Sequence, residues 1–239
     1  MLKIEKFVTA SPEQWDIIIE GMRNPMNSWY KSDSVTYTCG LCDEDRCIGG
    51  SKFEIGPNDH NLMMRLANGG PVHAKYRRMI PVWVTLTAPL YWWKEFDTYK
   101  VGTVANSCST MHKIQAKEFT LEDFSCEHLI LDWCDPERSI GKVWDYTPKM
   151  RLLETVNCLN AAREKFLETK DKRYWWQMIQ LLPTSYNQKR TVMLNYEVLH
   201  NIYFSRKDHK LDEWHVFCDW IEELPYSKLI VGDKDAECS

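Results

Sequence analysis

The chain has 239 residues, 44% of them hydrophobic and 27% charged, with a net charge of −4 at pH 7. That size suits one domain with a sizeable core, expected as a single α+β domain over residues 1–230 followed by a polar tail at 231–239. The acidic balance argues against duplex nucleic acid as a partner. No apolar run nears the roughly 18 residues that span a bilayer, and MLKIEKFVTASPEQW lacks a signal-peptide layout. A cytoplasmic protein with no membrane partner is therefore expected.

Residues 2–8 read as an edge strand. Ser11-Pro12-Glu13-Gln14 is a helix start, with serine as cap and proline at the first position. The helix that follows carries Trp15, Ile18, Ile19 and Met22 on one face, and Asn24-Pro25 ends it. Short strands are expected at 34–38 and 51–55, around a cysteine-rich segment. Cys39, Cys42 and Cys47 have a spacing that hints at zinc, but a structural site needs four ligands and the nearest further candidate is His60. Nine cysteines without an export signal read as free thiols, and no metal is expected. Pro57-Asn58-Asp59 opens a helix bearing Leu62, Met63 and Leu66, which Gly69-Gly70 closes. His73 to Arg78 is the most basic short run, either a solvated helix face or a phosphate contact.

Ile80 to Lys113 is the most informative stretch. Val82, Val84 and Leu86 alternate with Trp83, Thr85 and Thr87, which predicts a strand. Pro89 stops it and suits the start of a helix, in which Leu90, Trp92, Trp93, Phe96 and Tyr99 follow helical spacing. After Gly102 comes a polar row, Thr103, Asn106, Ser107, Cys108, Ser109, Thr110 and His112. It is either an ordinary loop or the lining of a ligand site. Cys108 could act as a nucleophile were its thiol acidified, with His112 one turn on; the plainer reading is a small buried residue.

Further on, Thr120-Leu-Glu-Asp123 looks like a capped helix start and 133–147 like a loop. A long helix is expected over 148–169 with a stripe of Met150, Leu153, Val156, Leu159 and Phe166, and another over 171–182. Beyond Pro183, residues 186–203 read as helix with Val192, Tyr196, Leu199 and Tyr203 on one side. Asn195 and Asn201 would then occupy neighbouring faces of one helix. Arg206 to Lys210 is a charged connection, Leu211 to Leu224 the last helix, and after Pro225 the tail ends in polar residues that are expected to fray. Among eleven tryptophans, the pairs Trp92-Trp93 and Trp175-Trp176 suit core or subunit packing, with stacking on a base or flavin ring as the alternative. The coarse picture is a small mixed or antiparallel sheet surrounded by several helices, an α+β fold.

The central stretch resembles the signature region of the flavin-dependent thymidylate synthases. In that family a strand ending in Ala-Pro, as Ala88-Pro89 does here, leads through an aromatic helix to R-H-R-x-x-S-x-N-E-x-S-x-R-Y. Counted without gaps, R-H-R falls on Thr98-Tyr99-Lys100, the first serine on Thr103, Asn-Glu on Ala105-Asn106 and the second serine on Cys108. The family's later L-P, Asn, Asn and R-x-D fall on Leu182-Pro183, Asn195, Asn201 and Arg206-Lys207-Asp208. Two of its arginines are replaced by Ile179 and Glu197, its Glu-His falls on Arg78-Met79, and an earlier histidine falls on His73. The resemblance is to a divergent member, of phage or prophage type.

The resemblance implies a homotetramer that takes a pyrimidine nucleotide, FAD and a folate, with sites built from several subunits. Its implied catalytic residues are Arg206 and Cys108. Lys100, Asn106, Ser107, Ser109, Arg206 and Asp208 would hold the nucleotide, with Asp208 orienting Arg206. His73, Arg78, Tyr99, Asn195 and Asn201 would hold the cofactor. Each lost charge-assisted contact costs about 1.5–3 kcal/mol, so FAD binding is expected to be weak or absent. Three functions stay open: one-carbon transfer to the C5 of a pyrimidine nucleotide, non-catalytic nucleotide binding, and an interaction scaffold.

Overall fold

The computed structural model describes residues 1–37, 51–130 and 147–232. Its contacts divide the chain into two interleaved units. The first comprises Met1–Glu5, Leu86–Thr98 and Asn106–Thr191, and the second Lys6–Thr85, Tyr99–Ala105 and Val192–Ser239.

Strand β1 (Lys3–Thr9) precedes helix α1 (Pro12–Arg23). The start of α1 has the expected serine cap and completes it as a capping box: the Ser11 hydroxyl accepts from Gln14 N, and the Gln14 side chain accepts from Ser11 N. Trp15, Ile18, Ile19 and Met22 are all buried. Single 3₁₀ turns follow at Asn24–Met26 and Trp29–Lys31. Strands β2 (Val35–Tyr37) and β3 (Lys52–Glu54) pair antiparallel, with Thr36 opposite Phe53. Helix α2 (Pro57–Asn68) and a 3₁₀ turn at Ala74–Met79 lead into β4 (Pro81–Pro89).

In β4 the predicted inward face holds, since Val82, Val84 and Leu86 are at most 1% exposed. Helix α3 (Leu90–Phe96) is shorter than the spacing suggests, and Tyr99 lies beyond it. The expected polar loop contains a strand, β5 (Val104–Ser107), exposed along its length, and a short helix α4 (Thr110–Lys113). Thr120 caps a single 3₁₀ turn at Leu121–Asp123, and among the described residues up to 130 no helix follows it. Residues 133–146 of the expected loop lie outside the described residues, as do Cys39, Cys42 and Cys47.

Helix α5 (Pro148–Thr169) has the predicted bounds, but its buried stripe is Leu152, Val156, Leu159 and Ala162. Met150 is exposed and Leu153 only half-buried. The expected stripe was out of phase at its start, where Leu152 and Leu153 fit helical spacing equally well. The stripe packs on Ile114, Phe119, Phe124 and on Met178 of α6 (Lys172–Leu181), which forms the core of the first unit.

The expected helix over 186–203 is a strand followed by a helix: β6 (Asn187–Asn195), then α7 (Tyr196–Arg206). Gln188, Val192 and Leu194 are buried and Arg190 half-buried, all on the same face of a period-two pattern. β6 sits between β4 and β5 in a four-stranded sheet ordered β1-β4-β6-β5. Pairing on both sides supplies the hydrogen bonds that override the weak helical pattern.

Helix α8 (Asp212–Glu222) is not the last element. Tyr226 turns the chain at φ 55°, and helix α9 (Lys228–Val231) buries Leu229 and Ile230 completely. The segment after Pro225 is tied down as far as residue 232, because two apolar side chains repay its ordering, and residues 233–239 of the expected polar tail lie outside the described residues.

Candidate functional site

In the second unit, the last residue of α7 is Arg206. A cation suits this place because the helix C-terminus carries partial negative charge. Its Nε donates to the Tyr99 hydroxyl at 2.9 Å. Its guanidinium carbon lies 4.8 Å from the ring centroid of Trp214 and 5.6 Å from that of Tyr99. Trp214 is fully buried in α8 and meets Tyr99 edge to face. The half-buried arginine is therefore aimed by two rings and a hydroxyl, with cation–π attraction adding about 0.5–2 kcal/mol. Asp208, expected to orient Arg206, is exposed in the connection after α7.

Asn195 and Asn201 do not share a helix as expected. Asn195 is the N-cap of α7, its Oδ1 accepting from Val198 N at 3.1 Å, while Asn201 is exposed on α7. The Asn195 carboxamide also lies against the turn carrying Lys100. A Cβ on Gly102 would come within 3.1 Å of Asn195 Nδ2, and Gly102 has φ +79°. Both observations favour glycine there. Lys100 is exposed, and Thr103 Oγ1 is buried without a hydrogen-bond partner among the described residues.

His73, Lys75 and Arg78 are exposed around the 3₁₀ turn Ala74–Met79. The arginine that goes inside is Arg77, 4% exposed, with Nη1 at 4.0 Å from Glu197 Oε2 in the first turn of α7. Neither Arg77 Nε nor Glu197 Oε2 has a hydrogen-bond partner among the described residues. The neighbouring Tyr76 hydroxyl donates to Met63 O at 2.9 Å, and burial pushes its pKa up to about 12. His73 and Tyr76 line a largely apolar cavity of about 380 Å³ with Met22, Met26, Leu66 and Met79.

In the first unit, Cys108 is exposed rather than buried. Its N–H donates to Lys189 O at 2.9 Å, and its carbonyl accepts from Gln188 Nε2 at 2.9 Å. Gln188 Oε1 accepts in turn from Arg190 Nε at 2.9 Å, and Arg190 Nη1 bonds Asp97 at 2.7 Å. The Arg190 guanidinium lies 4.3 Å from the ring centroid of the buried Trp93, whose Nε1 donates to Gln188 O. This chain of contacts pins the Cys108 backbone through its N–H and its carbonyl. Asn106 and Ser107 are exposed in β5. Ser109 caps α4 by accepting from the backbone N of His112 at 3.0 Å. By contrast, the buried thiol of Cys218 has its pKa pushed up to about 12 by burial, which leaves it protonated.

Sequence reasoning missed Gln188, Arg190 and Asp97. Gln188 and Arg190 share one strand face, a relation visible only once 187–195 is read with period two. Among the described residues, no group of three metal-ligating side chains comes together, and no helix is long and apolar enough to cross a membrane.

No protein-family model matches this chain, and no curated protein does. Solved structures do. The chain is similar to thymidylate synthase X from Helicobacter pylori, solved with FAD and dUMP, at 15% identity and a TM-score of 0.60, covering 100% of this chain and 99% of that one. A second structure of the Helicobacter pylori flavin-dependent enzyme gives 13% identity and a TM-score of 0.56. The UMP/dUMP methylase PolB from Streptomyces cacaoi, bound with 5-Br dUMP, gives 12% identity and a TM-score of 0.52, covering 93% of this chain and 88% of that one. The fold is that of the flavin-dependent thymidylate synthases.

Proposed function

We propose that this protein binds a pyrimidine nucleotide through Arg206. The observation that carries the reading is the mounting of Arg206 on Tyr99 and Trp214, at the position that matches the R-x-D of the resembling family. A guanidinium is the side-chain group whose fork suits a bidentate contact to phosphate or a base carbonyl. The likeness to a UMP/dUMP methylase supports a pyrimidine over a purine.

The cofactor reading is weaker. Two family arginines are replaced by the half-buried Ile179 and the buried Glu197. A carboxylate in that place disfavours an anionic pyrophosphate, so the residues present do not fit FAD held in the family's manner. A second reading, one-carbon transfer to the pyrimidine C5, draws support from Cys108, an exposed thiol on a pinned backbone.

Calorimetric titration of the wild type and Arg206→Ala with dUMP, UMP, TMP and FAD tests the proposal. The variant is expected to lose about 2–4 kcal/mol of nucleotide affinity, with Lys restoring part of it and FAD binding weakly to both proteins. Because Arg206 also packs on Trp214, Tyr99→Phe, which removes only the hydroxyl, is the folding control. Equal nucleotide affinities for wild type and Arg206→Ala would sink the proposal.

A further inference from the structure

A second polar cavity lies in the same unit, outside the Arg206 cluster. It encloses about 420 Å³ between the turn Trp29–Lys31 and one face of α2. Its polar wall is formed by Tyr30, Lys31, Asn58, Asn61 and Arg65. Asn58, Asn61 and Arg65 follow one another at steps of three and four residues, so they share a face of α2. The Tyr30 ring is 81% exposed, and Lys31 Nζ stands 5.5 Å from its centroid. Among the described residues no carboxylate lines this cavity.

The two walls are locked together from beneath. Arg23, 3% exposed, forms the floor; its Nε donates to Asp59 Oδ1 at 2.5 Å, and its Nη1 and Nη2 donate to Ser28 O and Lys31 O, each at 3.1 Å. Asp59 belongs to α2, and its Oδ2 accepts from the Ser32 and Ser34 hydroxyls and from the backbone N–H groups of Asp33 and Ser34. The turn that offers Tyr30 and Lys31 is thereby fastened to the helix that offers Asn58, Asn61 and Arg65. A separate cavity of about 280 Å³, also lined by Arg23, carries the carboxylates of Asp16 and Glu20. Acids and cations are thus sorted into different cavities around one buried arginine.

We infer that the acid-free cavity binds a small phosphate ester with a ring body. Lys31 and Arg65 supply cations for a dianion, of which arginine offers a fork that fits phosphate oxygens. Asn58 and Asn61 each present a donor and an acceptor to ring hydroxyls or a base edge. Tyr30 supplies a flat apolar face. The volume falls within the range of small-molecule sites, roughly 300–1,000 Å³.

The site is independent of the one proposed at Arg206, and titration can tell them apart. The full-length protein is titrated with ribose 5-phosphate, UMP and inorganic phosphate, as wild type, Arg65→Ala, Asn61→Ala, Tyr30→Ala and Arg206→Ala. Ribose 5-phosphate is expected to bind the wild type saturably and more tightly than inorganic phosphate. Arg65→Ala should weaken it about tenfold or more, the loss of one charge-assisted contact, at an unchanged melting temperature because Arg65 is exposed. Arg206→Ala should leave it unaltered. The inference is overturned if ribose 5-phosphate does not bind, or if Arg65→Ala binds it as the wild type does. It also fails if inorganic phosphate binds equally well and neither Asn61→Ala nor Tyr30→Ala has an effect, since that would be a bare anion site.

Discussion

Two buried arginine–carboxylate pairs among the described residues of the second unit are built to opposite standards. Arg23 and Asp59 are in contact at 2.5 Å, and their remaining polar groups are taken up by Ser28, Lys31, Ser32, Asp33 and Ser34. Arg77 and Glu197 are almost as buried but stand 4.0 Å apart, and each keeps an atom without a hydrogen-bond partner among the described residues. Burial is therefore not what separates them; saturation is. Desolvating two charges costs several kcal/mol per ion, and only a complete set of hydrogen bonds offsets it. The first pair is a structural lock joining α1, α2 and the turn between them. The second leaves polar capacity unspent, the condition in which buried groups stand ready for a partner. It also inverts the pattern of the resembling family, whose arginine is replaced here by Glu197 and whose glutamate is replaced by Arg78, next to the buried Arg77.

The contrast predicts unequal costs of mutation. Arg23→Met should destabilise the protein by about 3–5 kcal/mol, because it leaves the Asp59 carboxylate buried without its cation. Urea denaturation measures this, and a cost below about 1 kcal/mol would show that the hydroxyl and backbone donors suffice alone.

Acid titration should expose the same lock. Burial by itself would raise the Asp59 pKa, but hydrogen bonds from Ser34, Ser32 and Arg23 outweigh it and hold the carboxyl below the ordinary carboxylate range. A carboxyl whose folded pKa is lowered stabilises the fold above its unfolded pKa of about 3.9, and that stability is lost as pH falls through the folded value. The melting temperature should therefore drop below about pH 4, and Asp59→Asn should flatten that part of the profile while lowering stability at neutral pH. A profile of unchanged shape in the variant would assign the acid sensitivity to other groups.

The smallest effect is expected at the unsaturated pair. Replacing both partners, Arg77→Met with Glu197→Leu, should change stability by no more than about 1 kcal/mol, because the desolvation of two incompletely bonded ions is relieved along with their attraction. Either single replacement should cost more than the double, by stranding one charge. A double variant as unstable as Arg23→Met would mean that the two pairs are equivalent after all.

Much of the molecule was legible in its residues because local rules act within a few positions. Ser11 before Pro12 and the alternation through Val82, Val84 and Leu86 each fix an element from nearby atoms alone. The choice of Arg206 likewise needed only the spacing that it shares with a known motif. What it rests on could not be read in this way. Tyr99 lies 107 positions away and reaches Arg206 only when α7 and the turn after α3 fold against each other. Residues 187–195 became a strand because β4 and β5 flank them. Cys108 is held by Gln188 because that strand exists, Arg77 rather than Arg78 turned inward to face α7, and Leu229 and Ile230 drew the tail onto the core. Caps and periodicity are properties of neighbours in the chain, whereas these contacts are properties of neighbours in space, and only the packed structure determines which residues those are.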